Sequence, residues 1–154
     1  MNGAPSPGRR RASPSSPRID VGLETTSRIP AASSTVWRLL TDTQQWPRWG
    51  PSVRSVDCAE RFIGPGSSGR VQTAVGLWLP FRITDFEQDA AWSWIVAGIP
   101  ATGHRVEAID PQNCRLTFTV PAWAPFYLPV CAAAIRRIGQ LALRQGKRSD
   151  LNRT

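Results

Sequence analysis

Ile19, Val21 and Leu23 alternate with Asp20, Gly22 and Glu24. Successive side chains of a strand point to opposite faces, so this pattern predicts a half-buried strand from about Arg18 to Ile29, ended by Pro30. Ser33 and Ser34 precede Val36, Trp37, Leu39 and Leu40 at helical spacing. A serine oxygen accepts from a free first-turn N–H, so a short helix is predicted to start here and to close near Asp42. Trp46-Pro47-Arg48-Trp49-Gly50-Pro51 reads as a turn.

From 52 to 120 the period is two. Strands are predicted at Val53–Glu60, Arg70–Val75, Leu79–Thr84, Trp92–Ala97, Thr102–Ile109 and Cys114–Val120. Gly64–Gly69 and Asp110–Asn113 supply turns between them. The final segment changes period. Leu128, Cys131, Ala132, Ile135, Ile138, Gly139 and Ala142 recur at helical spacing, predicting one amphipathic helix from about Pro125 to Arg144. Gly146 and the polar residues after it are expected to stop it.

The order is strand, helix, about six strands, long helix: an α+β chain with an antiparallel meander. The last helix must cover the apolar face of the sheet, and a sheet curling round it leaves a space between the two. The expected organisation is a basic Pro/Ser-rich tail at 1–17, one domain at 18–146 and a polar tail at 147–154. Residues 1–17 hold no aliphatic side chain larger than Ala, so nothing there offsets ordering entropy.

The chain has 154 residues and a formal net charge of +8, which first points to nucleic acid or an acidic membrane. The distribution changes that picture. Residues 1–18 carry four arginines and no acid, and 144–154 carry four cations against Asp150. The body between them holds 11 arginines and 10 acids. A nearly neutral body argues against a specific nucleic-acid groove. It leaves weak contact of the basic tails with an anionic membrane. At about 1 kcal/mol per cation the first tail supplies roughly 4 kcal/mol, millimolar affinity by itself.

No apolar run is long enough to span a bilayer. Arg9-Arg10-Arg11 is followed by Ala12-Ser13-Pro14-Ser15-Ser16-Pro17, which offers no apolar core for an export signal. Three widely spaced cysteines read as reduced thiols, and the expected location is cytoplasmic. One His and three scattered Cys give no metal-ligand spacing, and no Gly-rich loop opens a helix, so neither metal nor cofactor is expected.

Several segments together carry a resemblance. They are Ala32–Asp42, Trp46-Pro47-Arg48-Trp49, Gly66–Val71, Pro80–Thr84, Trp92-Ser93-Trp94 and Gly103–Glu107. Their order and spacing resemble the helix-grip fold of the START and birch-pollen-allergen type. Within it the chain looks most like the bacterial polyketide cyclase/dehydrase and lipid-transport family, over about 19–145. The resemblance implies a curved sheet of about seven strands wrapped round the last helix, with an apolar cavity between them. It does not fix an activity, because such a fold hosts carriers, cyclases and sensors alike.

Candidate site residues follow from the strand faces. His104 is the only histidine and shares a face with Thr102, Val106 and Ala108, so it should point inward. There it is either a ligand-orienting or proton-shuttling group or a neutral core histidine bonded to a neighbour. Trp92 and Trp94 offer flat apolar surface with one N–H each, for stacking a ligand or for filling the core. Trp46 and Trp49 either gate a mouth or plug the end of the sheet. Phe81 and Phe118 lie on the apolar faces of their strands, and Tyr127 stands at the start of the last helix. Asp85 joins the face of Phe81 and Ile83 if that strand runs regularly; a bulge before Phe86 turns it outward. Gly139 either permits close packing or leaves room for a ligand.

The leading reading is binding of a hydrophobic or polyaromatic small molecule, lipid or polyketide-like, in a pocket of ~300–1,000 Å³. The first alternative is a polyketide aromatase/cyclase-like enzyme using His104 as acid/base, helped by Asp85 or Tyr127. The second is tail-mediated association with an anionic membrane or nucleic acid.

Overall fold

The computed structural model describes residues 22–153. The expected tail at 1–17 and the first residues of the expected opening strand lie outside the described residues. Seven strands are present: β1 (Gly22–Ile29), β2 (Val53–Cys58), β3 (Ser68–Thr73), β4 (Trp78–Glu87), β5 (Ala91–Val96), β6 (Ile99–Asp110) and β7 (Asn113–Pro121). Helices α1 (Ser33–Thr41) and α2 (Trp46–Trp49) separate β1 from β2. A 3₁₀ turn at Pro125–Tyr127 leads into α3 (Leu128–Leu151). The strands form one antiparallel sheet in the order β1-β7-β6-β5-β4-β3-β2. This is the curved sheet and long helix that the sequence pattern and the resemblance implied.

The meander follows from alternation. Cys114, Leu116, Phe118 and Val120 of β7 are all buried, as are Thr102, His104 and Val106 of β6. On α3 the buried stripe is Cys131, Ala134, Ile135, Ile138 and Ala142. A Cβ on Gly139 would stand 3.3 Å from Ile29 Cδ1, so this glycine brings α3 close to β1.

Antiparallel register fixes which turns share an end. Gly22 pairs with Pro121, Val96 with Ile99, Gln72 with Trp78 and Val53 with Thr73. One end, here termed lower, therefore carries the start of β1, the loop before β2, the 74–77 and 97–98 turns, and the β7–α3 connection. The upper end carries the 59–67, 88–90 and 111–112 connections. At the lower 97–98 turn, Ala97 and Gly98 both have positive φ, 53° and 76°, the pairing that matches the twist of a two-residue hairpin.

Five expectations are corrected. The serines do not cap α1: its cap is Ala32, with no side-chain bond. The Trp-Pro-Arg-Trp segment is helical, with Pro47 in the first turn where its missing N–H costs nothing. Val75 lies beyond β3, in a turn rather than on a strand face. Asp85 is exposed: the β4–β5 register shifts between Ile83 and Asp85, and Phe86 takes the inner side against Trp37, ring centroids 5.7 Å apart. Finally, α3 continues through Gly146 to Leu151, so most of the expected 147–154 tail is helix. Gly146 is absent from the positive-φ glycines, and the surrounding Arg144, Gln145, Lys147 and Arg148 are good helix formers.

Candidate functional site

The indoles of α2 are placed by hydrogen bonds to α1. The last carbonyls of a helix lack intrahelical partners. Trp46 Nε1 donates to Leu40 O at 2.9 Å and Trp49 Nε1 to Leu39 O at 2.8 Å. Both rings are thereby fixed inside, with 1% and 6% of their surface exposed. Trp46 stacks on Trp92 with centroids 5.4 Å apart and planes 11° apart. Trp92 in turn stacks on His104 at 3.8 Å, and Phe118 meets the imidazole edge-on at 4.6 Å. Phe81 packs behind this set, on Trp46 and Trp94.

A polar chain threads the aromatic box. Trp94 Nε1 lies 3.1 Å from Thr102 Oγ1, which lies 3.1 Å from His104 Nε2; His104 Nδ1 lies 3.3 Å from Trp92 O. An indole N–H only donates and a carbonyl only accepts. Trp94 therefore donates to Thr102, Thr102 donates to Nε2, and Nδ1–H donates to Trp92 O. The neutral Nδ1–H tautomer satisfies every link. Burial agrees with it, pushing the His104 pKa down to about 3 against a weaker opposing effect of the Trp92 bond. His104 is thus a neutral histidine bonded to its neighbours.

Trp92 Nε1 takes no part in the chain. It is buried and has no hydrogen-bond partner among the described residues. An unpaired buried donor costs ~1–3 kcal/mol.

Trp46, Trp49, Trp92, Trp94, His104, Phe118 and Tyr127 all line one void toward the lower end. Phe81 and Asp85 do not. The floor is Val130, Cys131 and Ala134 of α3. Burial pushes the Cys131 thiol up to about 11 and raises the Tyr127 phenol as well. The void measures about 30 Å³, room for one or two waters. This corrects the expected pocket of several hundred Å³. Four indoles, an imidazole and a phenyl ring occupy the space that smaller side chains would have left open. Ser52 and Tyr127, which also line it, join the loop side to the helix side, hydroxyl to hydroxyl at 2.5 Å.

Sequence reasoning missed Ser52 and the linking role of Thr102. The shared face of Thr102 and His104 was a usable signal for the second. For Ser52 there was none, because its partner lies 75 residues away. A wider cleft of about 220 Å³ at the upper end is lined by Arg38, Asp42, Gln45, Arg61 and Gln145. Its carboxylate is already taken by Arg61, 3.0 Å away.

Three solved structures illustrate the fold. The Zhui aromatase/cyclase from a Streptomyces species superposes with a TM-score of 0.63 at 16% identity, over 80% of this chain and 93% of that one. A protein from Thermobifida fusca gives 0.62 at 18% identity, over 79% and 93%. Ara h 8.0201 gives 0.57 at 14% identity, over 79% and 97%. At such identities the likeness is one of fold. No curated protein matches the chain. The family model described as polyketide cyclase / dehydrase and lipid transport matches residues 20–148. Matched over most of its length, and with the sheet and long helix described above, the chain belongs to the polyketide cyclase/dehydrase and lipid transport family.

Proposed function

We propose that this protein binds a flat, apolar small molecule, lipid- or polyketide-like, whose acceptor oxygen meets Trp92 Nε1 in the aromatic box. The carrying observation is that buried indole donor without a partner among the described residues, on a ring that itself lines the void beside Trp46, Trp49, Trp94 and Phe118. Flat aromatic walls favour a flat guest, and one unpaired donor, beside polar groups already bonded to one another, is the usual polar economy of such a site. Family membership supports the same class of ligand. The resting void is too small for a guest, so entry requires the Ser52–Tyr127 contact to part and the α2–β2 loop to move from the start of α3.

The geometry favours binding over catalysis by His104. Its two ring nitrogens are both engaged, and burial keeps it neutral. Asp85, the expected helper, is exposed. We place the protein in the cytoplasm as part of this reading; no described helix is long and apolar enough to cross a membrane.

The test is titration with an anthraquinone and with a fluorescent fatty acid, followed by tryptophan emission. Saturable quenching is expected with at least one of them. Trp92→Phe should weaken binding of the carbonyl-bearing probe about tenfold, the worth of one hydrogen bond. Tyr127→Phe should speed association, since it frees the mouth. Absence of saturable binding to either probe, or a Trp92→Phe protein that binds as the parent does, defeats the reading.

A further inference from the structure

The turns of the lower end are apolar and exposed where turns are normally polar. Val75 and Leu77 project from the β3–β4 turn, Ile99 follows the β5–β6 turn, and Trp123 and Phe126 stand on the β7–α3 connection. Val75 is 88% exposed, Phe126 72% and Trp123 64%. Register places all five at one end of the sheet. Large exposed apolar groups gathered in one region mark a contact surface rather than scatter.

Charge is arranged to match. Stretches 71–84, 91–106 and 116–149, which contain these turns, have no Asp or Glu. Glu24, near the start of β1, is held by Arg105 at 3.6 Å. The acids Glu60, Glu87, Asp89 and Asp110 lie at or beside the upper connections. The chain enters this lower end at Gly22, opposite Pro121. Just before it, residues 1–18 carry Arg9, Arg10, Arg11 and Arg18 with no acid, and Asp20 is the one acid before Gly22. The C-terminal cations lie elsewhere: Gln145 of α3 lines the upper cleft beside Asp42.

We infer that the lower end is a docking face for an anionic lipid bilayer, with Val75, Leu77, Ile99, Trp123 and Phe126 entering the interface while the arginine-rich N-terminal segment contacts the headgroups. Separate apolar tips suit a fluid lipid surface, which needs no complementary shape. Aromatic tips sit well at headgroup level. Neither an apolar contact nor a few cations holds a protein at a membrane alone, whereas the two together do. The acids, turned to the far end, fix the orientation. The side of the void where Ser52 and Tyr127 meet then faces the bilayer.

The experiment is co-sedimentation of the full chain with vesicles of phosphatidylcholine, alone or mixed with phosphatidylserine. Binding to the mixed vesicles is expected, weakening with salt. Replacing Arg9, Arg10 and Arg11 by Gln should lower that affinity on the order of 100-fold. Trp123→Ser with Phe126→Ser should lower it tenfold or more, at unchanged melting temperature, since both side chains are exposed. Failure of the parent chain to bind mixed vesicles overturns the inference, as does a serine double variant that binds like the parent. So does a parent dimer that the double variant turns into a monomer, which would make the face a contact between copies. The inference does not rest on the ligand reading: vesicle binding without anthraquinone or fatty-acid binding keeps this one and removes that one.

Discussion

At the upper end of the sheet the polar groups are bound to one another. Asp42 accepts from the Gln44 N–H at 3.0 Å and from Arg61 at 3.0 Å. Asp110 accepts from Gln112 N–H and from Asn113 Nδ2, which together hold its carboxyl below the ordinary carboxylate range. Arg38 and Arg61 both lie over the Phe62 ring. At the lower end the connections carry Val75, Leu77, Trp123 and Phe126 with no acid beside them. The same hairpin topology is built both ways, so the fold itself does not demand apolar turns. Their backbone needs are met by positive φ at Gly76, Ala97 and Gly98. The apolar side chains must therefore answer to something outside the fold, and the aromatic interior behind them to something inside it.

The strongest way to separate interior from surface is to remove one ring from each. Trp46 stacks on Trp92, touches Phe81 and Trp94, and bonds Leu40 O. Trp46→Ala should cost about 3–5 kcal/mol in urea unfolding, from lost burial and the cavity left behind. Phe126→Ala should change stability by less than about 0.5 kcal/mol. Comparable losses at both positions would make Phe126 part of the core and dissolve the distinction.

Next in size is a pH effect confined to the interior. His104 has a folded pKa of about 3 against an ordinary 6.5. Above pH 6.5 both folded and unfolded states hold it neutral, and no stability is lost. As pH falls from 6.5 toward 3 the unfolded chain takes up a proton that the folded chain refuses, so stability declines, at most about 1.4 kcal/mol per pH unit. By pH 5, before most carboxylates titrate, the loss should reach about 2 kcal/mol, and His104→Gln should flatten it. Because the chain has a single histidine, its imidazole NMR signal reads the folded state directly. A midpoint near 6.5 in the native protein would contradict the buried, bonded ring.

These two tests address residues that alternation had already brought together. Counting in twos puts His104 on an inner face and Phe118 on an apolar one, and the void does gather them, with Trp92 and Trp94. Asp85 escaped because a bulge inserts one residue without leaving a hydrophobic mark; only Phe86, the next apolar residue, hinted at it. The helical turn at Trp46–Trp49 depends on indole bonds to Leu39 and Leu40, which are tertiary and invisible to local propensity. The size of the void was least legible. It is a small difference between the volume enclosed by a curved backbone and the volume of the rings inside it, and no pattern along the chain encodes a difference of that kind.

The smallest effect belongs to the helix end, where sequence punctuation misled. A glycine stops a helix when it takes the left-handed conformation at the position after the last turn. Gly146 does not take it, and α3 continues for five more residues to Leu151. A Cβ placed there meets nothing within 4 Å. An exposed helix-interior glycine with free space is costly only through its backbone entropy, about 0.5–1 kcal/mol relative to alanine. Gly146→Ala should therefore stabilise the protein by about that amount and leave anthraquinone and vesicle binding untouched, since the residue lies far from the void and from the apolar turns. A destabilised variant would mean that the helix ends where the sequence pattern first put it. The C-terminal cations would then belong to a free tail rather than to the flank of α3.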